Sequence, residues 1–283
     1  RLNLTSFIPG QDRPFAKMII PDWTKGLKPS ETTLPEALRD HGYETIHIGK
    51  WHLEFPEKPE EAPTSHGFDF SKDKPKGTRG YILSEKVAEA EGTEQTYVTD
   101  YLAELAVEKI AEAKENPFFL YFAFHVPHTP IQGRGDLVAE FEKKVDPEAI
   151  HKNPTYAAMV KSMDLAVGSV LDALEKNGLD DNTIIVFTSD NVGLTQRYGK
   201  HDEFTENLPL RRGKGSAYEG GVRVPAIVRF PGHVAPGSVS EEPVITADCM
   251  PTLLDFAGVA LEKETASTID GVSLRPVLDG EEA

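Results

Sequence analysis

The chain has 283 residues, of which 39% are apolar and 27% are charged, a composition typical of a globular protein. Its formal net charge of -16 argues against a nucleic-acid-binding protein, because such a protein needs a basic face to displace counterions. The single cysteine, Cys249, excludes an intrachain disulfide and a multi-cysteine zinc cluster. No apolar stretch is long enough to span a bilayer, so the sequence predicts no membrane span.

Short apolar runs of strand character alternate with longer helical patterns, which is typical of α/β units around a mostly parallel sheet. In chain order we predict a helix at 34–40, a strand at 45–48, a helix at 97–114, a strand at 118–124, a helix at 156–177, and strands at 183–189 and 226–230. The longest helix has apolar residues at helical spacing, which predicts one buried face. The residues of this face are Met159, Val160, Met163, Val167, Val170, Leu171 and Leu174. One domain over residues 1–283 is the simplest organisation.

Polar residues directly after each strand are the first functional candidates, because open α/β sheets bind ligands beyond the carboxyl ends of their strands. The first strand is followed by Lys50 and His52, in Gly-Lys-Trp-His. A lysine can hold an anionic oxygen and a histidine can transfer protons near neutral pH, although a surface lysine beside a packed tryptophan is an equal alternative. The second strand is followed by His128, between prolines that fix the backbone. Two histidines in a loop are more often plain surface residues.

The third strand is followed by Asp190 and Asn191, whose side-chain oxygens are of the kind that calcium prefers. For an isolated pair, an Asx turn is the more common explanation. The fourth candidate is Lys214, which lies between two glycines. Glycines let the backbone approach a ligand while the ammonium meets an anion, and a flexible basic loop is an equal alternative.

The order and spacing of these segments resemble the sulfatase family of the alkaline phosphatase superfamily. Residues 34–53, which end in Gly-Lys-Trp-His-Leu, are similar to the second sulfatase signature, and residues 119–130 end in a Pro-His-x-Pro element. Residues 183–191 resemble the strand that delivers an Asp-Asn pair, and residues 207–225 the segment with a second active-site lysine. The resemblance continues through 248–258 and 270–274. It implies an alkaline phosphatase-like α/β fold, with a mostly parallel central sheet flanked by helices, incomplete in this chain.

The resemblance assigns a role to each candidate by its position in a motif. Asp190 and Asn191 become ligands of a calcium ion. Lys50 and Lys214 become the cations that hold the sulfate oxygens. These four roles rest on the motifs and not on the spacing of the residues.

The remaining roles concern proton transfer and the nucleophile. His128 contacts sulfate or protonates the leaving oxygen, and His52 is the base that breaks the covalent intermediate. Arg1 matches the arginine that closes the Cys/Ser-x-Pro-x-Arg motif, so the formylglycine made in that motif is expected upstream of Arg1. Cys249 is no substitute for the nucleophile, because its surroundings predict the start of a helix. We also expect a pair of metal-binding aspartates upstream and a small subdomain beyond Leu278, and so no turnover by these 283 residues alone.

The resemblance implies a sulfuric ester hydrolase, with a sulfated carbohydrate favoured as substrate and loops 54–81 and 132–153 as the variable regions that would select it. Calcium and formylglycine are the expected cofactors. A formylglycine-generating enzyme or an anaerobic maturase is the expected partner. Export to the periplasm or medium is the expected localisation. The alternatives are a phosphatase or phosphonate monoester hydrolase of the same superfamily, or a non-catalytic sulfatase-like binding protein.

Overall fold

The computed structural model describes residues 26–53, 59–195 and 204–280. The described strands are β1 Glu44–Gly49, β2 Phe70–Lys72, β3 Phe118–Ala123, β4 Ile185–Thr188 and β5 Ala226–Arg229. The described α-helices are α1 Leu34–Arg39, α2 Glu85–Glu91, α3 Val98–Ala113, α4 Gly135–Glu142, α5 Pro154–Lys176, α6 Glu219–Val222, α7 Cys249–Phe256, α8 Lys263–Ala266 and α9 Arg275–Leu278. Every strand and helix that the sequence predicts is present. The largest differences, two residues at one end and one at the other, are in β4, which is shorter than predicted, and in α5, which begins and ends earlier.

The chain divides into two compact units. The first unit contains the described residues of Arg1–Asp73, Glu112–Ala123 and Ser240–Ala283. The second unit contains the described residues of Lys74–Ala111 and Phe124–Val239. The chain passes between the units more than once, so neither is a continuous stretch of sequence. A single domain over residues 1–283 stays a prediction.

The first unit is built on a parallel sheet with the strand order β2-β1-β3. β1 is the central strand, and Thr45, Ile46, His47 and Ile48 are all fully buried. Burial on both faces is the usual condition of a parallel strand, because helices cover both sides of such a sheet. β1 is therefore a rigid base for the residues that follow it.

Helix α1 begins with a capping box. The Thr33 side chain accepts from the Glu36 amide, and the Glu36 carboxylate accepts from the Thr33 amide at 2.8 Å. Pro35 in the first turn costs no helical hydrogen bond, since the first amides of a helix have no partner within it. These local signals explain why the sequence predicted α1 to within one residue.

The second unit contains an antiparallel pair, β4 and β5, in which Ile185 lies opposite Arg229 and Thr188 opposite Ala226. The described strands therefore form two sheets, one parallel and one antiparallel. The fold is α/β as predicted, and its parallel part is the sheet of the first unit.

Helix α5 begins after Asn153, whose side chain accepts from the Tyr156 amide at 2.9 Å. The buried positions of α5 are Ala158, Met159, Ser162, Ala166, Ala173 and Leu174. The predicted face is only partly correct, because Val160 and Leu171 are each 38% exposed. Small residues occupy most of the buried positions instead. A Cβ on Gly133, just ahead of α4, would come within 3.0 Å of Ala158, so small residues are needed where the two helices meet.

None of the helices that the structure describes is both long enough and apolar enough to cross a bilayer.

The core beneath α1 gives a first test. Leu254 on α7 is 3% exposed and packs with Ala37, Leu38 and Val259. Leu254→Ala should lower the free energy of unfolding by about 2–5 kcal/mol, through lost burial and the cavity left behind. Urea denaturation followed by circular dichroism measures this change. Val272→Ala, at a position that is 65% exposed, is the control and should stay within about 0.5 kcal/mol. Equal effects would contradict the packing described for α7.

Candidate active site

The end of β1 passes very close to β3. Gly49 has φ +103°, and a Cβ there would overlap the carbonyl oxygen of Ala123. Only glycine therefore permits this approach. The amide of the next residue, Lys50, donates to the same Ala123 carbonyl at 2.8 Å. The half-buried lysine thus follows directly from the carboxyl end of the parallel sheet.

The turn that contains Lys50 is supported from below by His47. The ring of His47 is fully buried, with Nδ1 2.9 Å from the Ser71 hydroxyl oxygen and Nε2 3.4 Å from the Lys50 carbonyl oxygen. A carbonyl can only accept, so a neutral ring with its proton on Nε2 satisfies both contacts. In that state His47 donates to Lys50 and accepts from Ser71.

Trp51 anchors the same turn in the core. Its indole N–H donates to the Glu61 carbonyl at 2.9 Å. Its ring meets the Phe68 ring edge-on, with 6.0 Å between the ring centroids. His52 follows with φ +59°, a left-handed conformation that few residues other than glycine adopt. The side chain of His52 is exposed. A half-buried tryptophan with a buried hydrogen-bond partner therefore fixes the backbone between a half-buried lysine and an exposed histidine.

In the second unit, His128 ends a turn in which its amide donates to the His125 carbonyl at 3.1 Å. The His128 side chain is exposed, and its Nδ1 lies 2.9 Å from the Thr129 carbonyl oxygen. The Thr129 hydroxyl oxygen is a second, longer neighbour of Nδ1 at 3.4 Å. Since a carbonyl cannot donate, the shorter contact assigns the proton to Nδ1. In the neutral ring, Nε2 then has the lone pair and is the nitrogen that can take up a proton.

Asp190 and Asn191 follow β4. Asp190 is exposed and Asn191 is half-buried, and the Ser189 hydroxyl donates to the Asn191 carbonyl at 2.9 Å. A carboxylate and an amide oxygen fit the preference of calcium for oxygen ligands, but two side chains are fewer than the six to eight oxygens it takes. Across the described ranges, no group of three or more His, Cys, Asp or Glu residues is arranged to hold a metal ion.

Lys214 lies in a loop that is tied to the segment after Asn191. Its amide donates to the Gly193 carbonyl at 3.0 Å. The side-chain amide of Asn207 donates to the carbonyls of Gly193 at 2.9 Å, Gly220 at 3.0 Å and Arg212 at 3.2 Å. The loop from Arg212 to Gly220, called here the Lys214 loop, is thus joined at both ends to Gly193, which follows Asp190 and Asn191 in the chain. The NH₂ group has two protons, so two of the three carbonyls share one of them. Asn207 could not be recognised from the sequence, because its partners come together only in the folded chain.

Arg1 and Cys249 are the two remaining residues that the sequence singled out. Arg1 lies outside the described residues. Cys249 begins α7, as predicted, and burial together with the charge of Asp248 raises the pKa of its thiol. A raised pKa keeps the thiol protonated, which makes Cys249 a poor nucleophile. The structure links Lys214 to the Asp190 segment within the second unit. That all the candidate residues meet in one site stays a prediction.

Comparisons with known proteins agree with the resemblance seen in the sequence. The family model described as Sulfatase matches residues 4–259. Human arylsulfatase A is 31% identical over 98% of this chain and 57% of its own length. A Formosa agariphila protein named sulfatase is 39% identical over 66% of this chain and 34% of its own length. The chain spans about half the length of the curated relatives it matches.

Solved structures give the same result for the fold. The crystal structure of Ps i-CgsB has a TM-score of 0.77 and 32% identity, covering 91% of this chain and 59% of that one. The phosphonate monoester hydrolase SpPMH from Silicibacter pomeroyi, at 21% identity and a TM-score of 0.61, shares the fold. The predicted alkaline phosphatase-like α/β fold is thereby confirmed.

The Asn207 contacts give a second test. Asn207→Asp replaces the donor with a carboxylate that would face three carbonyl oxygens. The Lys214 loop should then loosen, because each contact becomes a repulsion and a lost hydrogen bond costs about 1–3 kcal/mol. Hydrogen–deuterium exchange of residues 207–223 should become at least about tenfold faster. Asn182→Asp, the same change at an exposed position, is the control. Equal exchange in the two variants would show that Asn207 does not hold the loop.

Proposed function

Because this chain belongs to the sulfatase family, we propose that it provides active-site residues of a sulfuric ester hydrolase. The observation that supports this most directly is the end of β1. There a backbone that only glycine permits is followed by Lys50 and His52, directly beyond the parallel sheet. A cation and a proton-transfer group at this position suit the cleavage of an anionic ester.

In this proposal the cations act on the charge of the sulfate group. Lys50 and Lys214 bind the sulfuryl oxygens and stabilise the negative charge that develops on them in the transition state. The hydrogen bonds that fix both lysine backbones support the assignment, since they restrict the region that each ammonium can reach and so lower the reorganisation needed during the reaction. Arg1 is proposed to belong to the same site by its position in the motif.

The two histidines are proposed to move protons. His128 would donate to the leaving oxygen, or bind sulfate, through Nε2, because its Nδ1 proton goes to the Thr129 carbonyl. That carbonyl accepts from the ring in both the neutral and the protonated state, so the orientation of the ring survives proton transfer. His52 is proposed as the base that removes a proton when the sulfated enzyme is broken down.

Calcium and formylglycine belong to the proposal through the family resemblance. Asp190 and Asn191 would hold calcium, whose charge would add to that of the lysines. The formylglycine, made by a formylglycine-generating enzyme or an anaerobic maturase, would supply the nucleophile ahead of Arg1. With two calcium ligands and no such nucleophile, these 283 residues alone should not turn over.

We propose a sulfated carbohydrate as substrate. Ps i-CgsB, at 32% identity, is known in complex with k-i-k-neocarrahexaose. Mouse N-acetylgalactosamine-6-sulfatase is 30% identical over 89% of this chain. One relative is thus known with a bound oligosaccharide, and the other is named after a sulfated sugar. We further propose that the protein is exported, to the periplasm or the medium.

The assay compares the 283-residue chain with a form extended by the coding sequence that precedes Arg1 in its locus. Both are produced together with a formylglycine-generating enzyme and tested on an aryl sulfate. We expect calcium-dependent hydrolysis by the extended form only. Lys214→Ala in that form should lower kcat/KM by about 10² or more, because it removes a cation that acts in the transition state. Lys176→Ala, at the exposed end of α5, is the control and should have no effect.

Other results of this assay would favour one of the alternative functions. Faster cleavage of an aryl phosphate or phosphonate would favour the phosphonate monoester hydrolase alternative, whose fold the chain shares. Sulfate binding without cleavage of any ester would favour a non-catalytic relative. Hydrolysis by the short chain, with or without calcium, would contradict the proposed mechanism.

A further inference from the structure

We propose that Tyr81, which lies 47 residues before His128 in the sequence, is a positioning residue that holds the His128 turn and thereby fixes which ring nitrogen of His128 faces the substrate. The inference rests on the proposed role of His128 and extends it. It was not accessible from the sequence, because nothing in the surroundings of Tyr81 resembles a functional motif.

The contact that supports the proposal is a shared hydrogen bond. The Tyr81 hydroxyl lies 2.8 Å from the His125 carbonyl oxygen and 2.9 Å from the His128 carbonyl oxygen. Carbonyls only accept, so the hydroxyl is the donor to both ends of the four-residue turn. The His128 amide closes the turn on the His125 carbonyl at 3.1 Å. One side chain thus fixes the backbone on both sides of the prolyl residue within the turn.

Tyr81 is itself held firmly. It is 4% exposed, its amide donates to the Gln132 side-chain oxygen at 2.8 Å, and its carbonyl accepts from the Val98 amide at 2.8 Å. The centroid of its ring lies 6.0 Å from that of the Tyr97 ring. The Tyr97 hydroxyl in turn donates to the Gln132 carbonyl at 2.9 Å. Burial raises the pKa of the Tyr81 hydroxyl, so it keeps its proton and remains a donor at any working pH.

The consequence for His128 follows from two neighbouring carbonyls. Tyr81 holds the carbonyl of His128, and the next carbonyl along the chain, that of Thr129, accepts from His128 Nδ1 at 2.9 Å. If the first carbonyl were released, the peptide after it could rotate and the second would leave the ring. The Nδ1 proton would then lose its shortest contact, and the preference for Nδ1 over Nε2 as the protonated nitrogen would weaken.

Tyr81→Phe tests this with the smallest change, since it removes only the hydroxyl. Tyr97→Phe is the matched control, because it removes an equally buried hydroxyl from the same unit without touching the His128 turn. Nitrogen-15 NMR of the histidine rings in the 283-residue chain reports the tautomer. We expect the Nδ1–H form of His128 in the unsubstituted chain and in Tyr97→Phe. In Tyr81→Phe the ratio of the two tautomers should shift toward Nε2–H by about twofold to fivefold, the effect of losing a hydrogen bond of ordinary strength.

Turnover by the extended form gives a second readout. Tyr81→Phe should lower kcat about tenfold, as expected for a misplaced catalytic group, and leave KM within about twofold. Tyr97→Phe should leave both unchanged. A merely structural tyrosine would affect stability in both variants and would not separate kcat from KM.

The outcomes separate this inference from the proposed function. If Tyr81→Phe leaves the His128 tautomer unchanged, the inference is wrong. If that variant does not fold, the unsubstituted chain decides, because an Nε2–H tautomer of His128 there would overturn the inference and an Nδ1–H tautomer would support it. If His128→Ala retains full turnover, the proposed role of His128 is wrong, while the NMR comparison still decides whether Tyr81 holds the turn.

Discussion

The approach of β1 to β3 at Gly49 is the constraint on which the first unit depends. Because no side chain fits between Gly49 and the Ala123 carbonyl, the two strands can stay paired to the very end of β1. The Ala123 carbonyl then accepts from the Lys50 amide, so the hydrogen-bonded sheet continues one residue into the functional turn. The backbone from which the Lys50 side chain extends is therefore fixed before any ligand binds, which lowers the free energy needed to order the residue on binding.

Near three of the candidate residues, a polar side chain from elsewhere in the chain contacts backbone carbonyls of the turn or loop. His47 contacts the carbonyl of Lys50, Asn207 contacts carbonyls at both ends of the Lys214 loop, and Tyr81 contacts two carbonyls of the His128 turn. Loops expose carbonyls that no strand or helix satisfies, and leaving them buried without partners would cost free energy. Polar side chains that meet this need also fix the loops. Stability and positioning therefore come from the same hydrogen bonds.

This explains what could be predicted from the sequence. Strands β1, β3, β4 and β5 and the bounds of α1 and α5 depend largely on neighbours in the chain, and the sequence predicted each of them to within about two residues, whereas the three-residue strand β2 was missed. The buried face of α5 was only partly predicted: small residues such as Ala158, which lies close to Gly133, are buried, whereas Val160 and Leu171 are exposed. Tyr81 and Asn207 could not be found at all, since their partners are distant in sequence or depend on how a loop closes. Motif similarity located the candidate residues but not what holds them.

The charge of the chain places a limit on how a sulfated substrate could be recognised. At a formal net charge of -16, the chain as a whole repels an anionic ester. Salt screens charges beyond about 8 Å at physiological ionic strength, so distant acidic residues have little effect on a bound sulfate. Attraction must then come from cations within that distance, where a few fixed lysines outweigh many remote carboxylates. The hydrogen bonds that fix the backbones of Lys50 and Lys214 are therefore as important to the proposed function as the ammonium groups themselves.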